Sequence, residues 1–538
     1  MWGTGSRGPG WNLIPPGGGI TFPAAGGGVT LRLAQVLEKR PLRTNDGITL
    51  SLAPSFRCPL SAAFTQVPRP VSRNLPRTHM PPTFGEDEPH VDTDIKLVDI
   101  EPIFDDEEFR TPLKFGTGII EAITSLTVKA TVENRSGDTA EGLGNILLSD
   151  IWGYPSADMS HEDRDEAMRE VARRFCALLM DNARFGHPLD LYLELKPELK
   201  RIADEVSADM DAATPMPLLG ALVSASPCDA ALHDAFGKVN GICSYDGYGP
   251  EFCEHDISAW LGDEFAGKYI ADYLNPAYQP SMPIFHLVGG VDKLRASEVT
   301  EEDPDDGLPV SLDQWMERDG IFCFKVKLSG HDIDADVART VEVAEVIDEN
   351  RAKMGADRFY LSTDSNEQNE SPETVIEYAE KLKEASPMAY EALLYFEQPT
   401  ERDLDDHRFD MSEVSKYKPT VVDEGVKDVE MLKLAEELGW SGVGLKTCKG
   451  HSSSLLYVAY ANEHDMVVTV QDLTNPGLSL IHSAGLSARI DTLMGFEYNS
   501  RQYLPWASPE LREKHADLFT VNDGVVRTDS LSETGLGY

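Results

Sequence analysis

Apolar residues recur along this chain with two different periods, and the change of period divides it. Residues 95–104 and the stretch around 119–133 alternate apolar or β-branched residues with polar ones, the two-residue period of a half-buried strand. Asn134-Arg-Ser-Gly137 separates 127–133 from 140–148 and predicts a turn between two strands. Residues 161–184, 188–209 and 216–238 follow, and their spacing predicts three helices. Strands followed by helices make residues 95–275 an α+β domain. From about residue 283 the order changes. Short apolar runs at 283–288, 321–328, 358–363, 392–396, 420–422, 443–446, 466–470 and 492–496 alternate with helical patterns such as 337–354, 372–385, 429–438 and 453–463. The alternation permits a doubly wound open sheet. Eight units favour a (β/α)8 TIM-type barrel over residues 280–505.

Composition adds a third segment. Residues 1–80 hold nine Lys and Arg against two Asp and Glu, with 11 Gly and 10 Pro. That composition buries too little apolar surface to offset ordering entropy, so 1–85 reads as a disordered leader. It lacks the pattern of a signal peptide. Met80 stands at the break, before an acidic run, and the expectation is that the native product starts at or near it.

The whole chain carries 91 Asp and Glu against 48 Lys and Arg, a net charge of −43. Beyond residue 80 the balance is −50. Such a surface repels phosphate backbones and anionic lipid, which argues against a nucleic-acid or membrane-surface protein. No apolar run reaches the roughly 18 residues of a membrane span. A charge this large destabilises a fold by self-repulsion unless salt screens it, which points to a salt-adapted, halophilic host. The seven cysteines form no CxxC pair and read as reduced thiols of a cytoplasmic protein.

The candidate chemistry lies where the apolar runs end, the face of a parallel barrel that collects functional groups. The second run closes with Lys325-Val-Lys327. Residues two apart on a strand face the same way, so both ammonium groups point to the barrel mouth. Crowding of this kind is expected to depress their pKa and make a proton base. The third run ends at Asp364, the fourth at Glu397 and the fifth at Asp423-Glu424, spaced by 33 and 26 residues, about one βα unit each. One such carboxylate would be read as a helix cap. Three in succession converge on one point, and a hard divalent ion, Mg²⁺ by preference, relieves their repulsion. Asp423 and Glu424 compete for the third place, because successive strand residues point opposite ways. Lys446 ends the sixth run, across the barrel from Lys327. Glu497 ends the eighth. Lys449 reads as a solvated loop charge.

The ordered series Lys325-x-Lys327, Asp364-x-Asn366, Glu397-Gln398-Pro399, Asp423-Glu424 and Lys446 resembles the enolase superfamily. Within it, the chain is similar to the mandelate racemase/muconate lactonising enzyme group, and most to the lysine–lysine branch of muconate cycloisomerases and dipeptide epimerases. The resemblance covers about residues 95–538, and 226–241 resembles the helix that precedes the barrel in that family. It implies an α+β capping domain on a modified barrel, with residues 506–538 returning to the cap. It implies Mg²⁺, or Mn²⁺, held by Asp364, Glu397 and Asp423. It implies Lys327 and Lys446 as acid/base groups and Lys325 as the group that tunes Lys327, with a homo-oligomeric assembly. A His–Asp branch would carry a histidine after the seventh strand, where this chain has Val470-Gln471-Asp472.

Those parts imply removal of the proton α to a carboxylate of a small molecule, with Mg²⁺ stabilising the enediolate. Return of a proton on the other face by the second lysine gives racemisation or epimerisation, the first reading. Departure of a β-group gives elimination, and departure of a ring atom gives cycloisomerisation. A catalytically silent binding barrel is a further reading, against which the complete charged set speaks. Two departures qualify the resemblance, and one further feature follows from it. Glu497-Tyr498-Asn499 stands where dipeptide epimerases carry Asp-x-Asp, which argues against a free-amine dipeptide. Lys327 to Asp364 spans 37 residues, which suggests a loop insertion at 328–336. Residues 109–120 form the expected specificity loop, with Arg110 or Lys114 meeting a second substrate anion or remaining solvated.

Overall fold

The alternating N-terminal segment forms a three-stranded antiparallel meander, β1 (Ile95–Phe115), β2 (Gly118–Asn134) and β3 (Thr139–Leu147). The computed structural model describes residues 91–538 apart from 116–117, 356 and 532–533, together with a short antiparallel pair, Ile20–Phe22 with Val29–Leu31. Beyond that pair, the leader and the expected start at Met80 lie outside the described residues. The strand β1 runs well past residue 104. Its acidic stretch Asp105–Glu108 stays in register with Ser125–Ala122 of β2. Backbone pairing, which needs no apolar side chain, carries the extension.

Three helices follow, α1 (His161–Asp181), α2 (Glu198–Asp209) and α3 (Leu218–Asn240); α1 and α3 pack on the sheet, and α2 packs on those two helices. The single helix expected over 188–209 is broken. A short helix, Pro188–Leu193, ends before Pro197, which has no N–H to continue the ladder. The long helix α3 presses on β3 at two glycines. A Cβ on Gly142 would stand 2.1 Å from the Ala231 carbonyl oxygen, and one on Gly144 would stand 2.0 Å from that of Pro227. Only glycine admits so close an approach.

The eight runs form a closed parallel barrel. Its strands are β4 (Ser281–Val288), β5 (Cys323–Lys327), β6 (Tyr360–Asp364), β7 (Leu393–Glu397), β8 (Thr420–Val422), β9 (Gly442–Leu445), β10 (Val467–Val470) and β11 (Phe496–Glu497), and β11 pairs with β4. The helices between them include α4 (Leu312–Asp319), α5 (Ile333–Met354), α6 (Pro372–Ala385), α7 (Val429–Glu437), α8 (His451–Glu463) and α9 (Gly477–Arg489). The sequence alternation therefore closes into a barrel rather than an open sheet. The expected insertion at 328–336 is not there: α5 begins at Ile333, and its 22 residues account for the long spacing between Lys327 and Asp364.

The C-terminal residues first add β12 (Val525–Arg527) antiparallel to the start of β4, with Val526 opposite Met282. They then reach the cap, where the Leu536 amide donates to Asp234 and the Ser244 amide donates to the Gly535 carbonyl. Among the described residues the six cysteines are free and buried, and no helix is long and apolar enough to cross a membrane.

Candidate active site

The strand ends place the predicted residues in one charged, buried layer. Lys325, Asp364, Glu397, Asp423, Lys446 and Glu497 are all buried, and Lys327 is the most open of the set. The carboxylates do not cap helices. Ser371 precedes α6, and Asp428 caps α7 by accepting from the Met431 amide. The strand-end groups are thus left for other work.

Lys325 is the hub. Its Nζ donates to Glu397 Oε1 at 2.6 Å and to Glu497 Oε2 at 3.2 Å, and lies 3.0 Å from Asp364 Oδ2. Lys327 Nζ donates to Asp364 Oδ2 at 2.5 Å and to Asn366 Oδ1 at 2.8 Å. Lys446 Nζ lies 2.6 Å from Asp423 Oδ2 as an ion pair without hydrogen-bond alignment, and 4.4 Å from the centre of the Trp152 ring. In a closed eight-stranded barrel the second and sixth strands stand opposite one another, so β5 and the end of β9 bring Lys327 and Lys446 to the mouth from facing sides.

Four expectations need correction. Burial would lower the Lys325 pKa, but Glu397, Glu497 and Asp364 outweigh it and hold that ammonium well above its ordinary range. Lys446 is likewise held up against burial, by Asp423 and Glu424. Carboxylates, not neighbouring lysines, dominate these two ammonium groups, so the expected depression is absent at Lys325. Lys449 is not a solvated charge: it is buried, and its Nζ donates to the Asp423 backbone oxygen at 2.9 Å and to Oδ1 at 3.2 Å. Asp423 and Glu424 do not point opposite ways. They lie beyond the end of β8, in a turn where strand alternation no longer applies, and both face the site. Lastly, Arg110 is neither solvated nor open to a second substrate anion, because Asp306 holds it with bonds of 2.6 and 2.9 Å. The Lys114 side chain lies outside the described part.

Sequence reading missed Trp152, and it named Asn366 and Gln398 without the bonds by which they shape the site. Trp152 enters from the cap, donates Nε1 to Glu424 Oε1 at 2.8 Å, and accepts at its carbonyl from Arg402 at 2.9 Å. Asn366 Nδ2 also donates to Glu424 Oε1. The Gln398 side-chain oxygen accepts from the amides of Asp423 and Gly425 and so sets the turn that presents both carboxylates. Asn366, Glu367 and Gln398 have φ of 45°, 66° and 29°, strained values for side-chain-bearing residues. The polar residues directly after each strand were the available signal; Trp152 left none, since its contact spans 272 positions.

Charge and donor chemistry suit a hard cation here. Asp364, Glu397, Asp423, Glu424, Asp472 and Glu497 are six buried carboxyls, against the four amines of Lys325, Lys327, Lys446 and Lys449. Burial first, then its anionic neighbours, push Glu397 well above the carboxylate range, though Lys325 opposes them. Asp472 is pushed to about 7, by burial and Glu497. Among the described residues, buried Glu397 Oε2 and Glu424 Oε2 meet no hydrogen-bond partner. Oxygen donors, excess negative charge and orphaned carboxylate oxygens fit Mg²⁺ chemistry. As the side chains stand, no three His, Cys, Asp or Glu among the described residues converge into a metal-holding group, because the lysine ammonium groups lie between the carboxylates.

Residues 309–538 match the family described as enolase C-terminal domain-like. Over that segment the chain is similar to the enolase family. No curated protein matches its sequence. Solved structures share the barrel and cap at low identity. The L-Ala-D/L-Glu epimerase of Bacillus subtilis aligns with a TM-score of 0.52 at 16% identity, over 82% of this chain and 98% of that one. The 2-chloromuconate cycloisomerase of Rhodococcus opacus 1CP gives 0.52 at 18%, over 82% and 96%. The dipeptide epimerase of Enterococcus faecalis V583, complexed with Mg and L-Leu-L-Tyr, gives 0.50 at 15%, over 82% and 99%. At these identities the likeness shows the fold alone, a barrel that sets the charged layer under the cap.

Proposed function

We propose that this chain is a Mg²⁺-dependent racemase or epimerase that removes the proton α to a small carboxylate. Lys327 and Lys446 are the two acid/base groups, and Asp364, Glu397 and Asp423 are the metal ligands. The observation that carries the reading is the pair of lysines on facing strands, with buried carboxylates between them. Support for the cation comes from the orphaned carboxylate oxygens and from the Mg held by the Enterococcus faecalis epimerase. Asp364, Glu397 and Asp423 would hold a divalent cation, which would supply the Lewis acidity that withdraws electron density from a substrate carboxylate and acidifies the adjacent C–H.

The chain's own groups then do the rest. One lysine starts as the free amine and takes the α-proton at Nζ as the C–H bond breaks. The facing lysine starts as the ammonium and gives a proton from its Nζ to the opposite face of the same carbon. No net proton is gained or lost, and the configuration inverts. Lys325 bridges Asp364, Glu397 and Glu497 and keeps those carboxylates from repelling one another. Trp152 closes the mouth from the cap and excludes water near Lys446. Glu497 is turned inward to Lys325, and Asn499 donates to it, so neither offers a free anion to a substrate ammonium. This supports an N-acylated amino acid over a free-amine dipeptide.

The test is α-proton exchange. The protein is incubated with Mg²⁺ and KCl in D₂O with pools of N-acyl amino acids, dipeptides, hydroxy acids and sugar acids. The expected result is deuterium gain with inversion in the N-acyl pool, reduced by about 10³-fold or more in Lys327→Ala and in Lys446→Ala while circular dichroism stays unchanged. Loss of water or ring opening would replace the reading with elimination or cycloisomerisation. Exchange that survives both substitutions would remove the lysines from the chemistry.

A further inference from the structure

Where the cap helix α3 meets the start of α8, a second polar cluster is sealed from solvent. Asp229 and His233 on α3, Tyr248 after it, His451 and Ser452 on α8, and His482 on α9 are all buried. Their contacts form a single file. His482 Nε2 lies 2.8 Å from His451 Nδ1, and His451 Nε2 lies 3.0 Å from the Tyr248 hydroxyl. That hydroxyl lies 2.8 Å from His233 Nδ1, and His233 Nε2 lies 2.8 Å from Ser452 Oγ. Ser452 Oγ donates to Asp229 Oδ1 at 2.7 Å, and the Ser452 amide donates to Asp229 Oδ2 at 2.8 Å.

Proton counting gives the file a direction. Both Asp229 oxygens accept from Ser452, so the Ser452 hydroxyl spends its proton there and accepts from His233. His233 must then carry its proton on Nε2. A second distance agrees: Nε2 is 3.3 Å from Asp229 Oδ1, a position for an N–H and not for a lone pair. His233 Nδ1 is left as acceptor for the Tyr248 hydroxyl. The Tyr248 oxygen accepts in turn from His451 Nε2–H, and His451 Nδ1 accepts from His482 Nε2–H.

We propose that Asp229, His233 and Tyr248 are positioning residues, heading a one-way hydrogen-bond chain that fixes three histidine tautomers and ties the cap helix to the turn presenting Lys446. The acid/base role of Lys446 rests on the proposed function; the proton order of the chain does not. The turn is held closely. Gly450 has φ of 104°, and a Cβ there would stand 3.1 Å from Asp229 Oδ2 and 3.2 Å from the Tyr192 hydroxyl. Ser452 lies three residues beyond Lys449 and six beyond Lys446. Burial, aided by the neighbouring imidazoles, lowers His451 well below its usual range and His482 to about 3, which favours neutral rings at those two places. A lid of apolar residues would hold cap and barrel together as well, but it would not specify one rotamer and one proton for each of these groups.

The test reads imidazole tautomers by two-bond ¹⁵N–¹H correlation NMR on the full chain labelled at histidine. In the unmodified protein His233, His451 and His482 should all be neutral with the proton on Nε2. A charged ring, or a proton on Nδ1 in any of the three, would overturn the proposal. In Asp229→Asn the amide oxygen must face the Ser452 N–H, so its NH₂ donates to Ser452 Oγ. Every link then reverses, and all three rings should move to Nδ1–H. In Tyr248→Phe the file is cut: His233 keeps Nε2–H beside Asp229, while His451 and His482 lose their fixed tautomer. Unchanged tautomers in both variants would refute the coupling, and the reading on the unmodified protein stands even if one variant does not fold. None of these signals needs a substrate, so this chain and the proposed reaction can fail separately.

Discussion

At the residue scale, charge decides what a buried group does, and sequence shows charge but not its partners. Lys325, Lys327, Asp364, Glu397 and Lys446 were legible because each ends an apolar run, a position fixed by one strand alone. Lys449, Glu424 and Trp152 were misread or missed because their roles depend on residues far away in sequence, on the Asp423 carbonyl, on Asn366 and on each other. The same rule yields a test outside the site. Asp190, on the short helix Pro188–Leu193, is buried, and burial with the nearby Glu194 raises its carboxyl to about 7. The unfolded carboxyl titrates near 3.8, so the folded state holds the extra proton between these values. Stability from this group is therefore full below about 3.8 and is lost as pH rises through about 7. Asp190→Asn keeps the neutral shape at every pH. It should exceed the unmodified protein in urea melts by about 1–2 kcal/mol at pH 5 and by about 4 kcal/mol at pH 8, the two converging only below about pH 3.8. Equal stability of the two proteins at pH 8 would mean that the carboxylate is solvated after all.

At the element scale, period told strand from helix and chain ends set the errors. The runs at 420–422 and 372–385 coincide with β8 and α6, because flanking prolines and charges bound them on both sides. The eighth run, read at 492–496, is only Phe496–Glu497 as a strand, since most of its apolar residues lie before the pairing with β4 begins. The hairpin of β1 and β2 was read too short, because its outer half is held by the ladder and by docking rather than by apolar alternation. That docking is specific. Leu113, Ile120 and Ile123 pack with Leu287 of β4 and with Tyr503 and Leu504 beyond β11, and Arg110 reaches Asp306, Leu308 and Pro309. A buried guanidinium with charged and carbonyl acceptors contributes roughly 1.5–3 kcal/mol. Arg110→Ala should therefore speed amide exchange about 10- to 100-fold in residues 109–123 while leaving β5 to β9 protected. Uniform acceleration across the barrel would show instead that hairpin and barrel open as one unit.

At the scale of the whole molecule, fold and charge pull in opposite directions. The barrel and cap bury a continuous core, yet the residues beyond 80 carry about fifty more acids than bases. Local ion pairs absorb some of this charge, as where Lys381 sits between Asp334 and Glu377 or Arg201 between Glu198 and Glu205. With 48 Lys and Arg for 91 Asp and Glu, most of the excess has no base to meet. Mutual repulsion over the surface then acts at distances that salt controls. The Debye length falls from roughly 30 Å at 0.01 M to roughly 3 Å at 1 M. The expected outcome is a Tm that climbs by several degrees or more between those KCl concentrations and then levels off. Sulfate at matched ionic strength separates screening from general salting-out. Screening gives one curve for both salts below about 1 M, whereas ion exclusion from the surface gives a steeper curve in sulfate. A Tm that is flat in KCl would mean that the acidic surface is already neutralised by its own ion pairs, and the salt-adapted reading would fall with it.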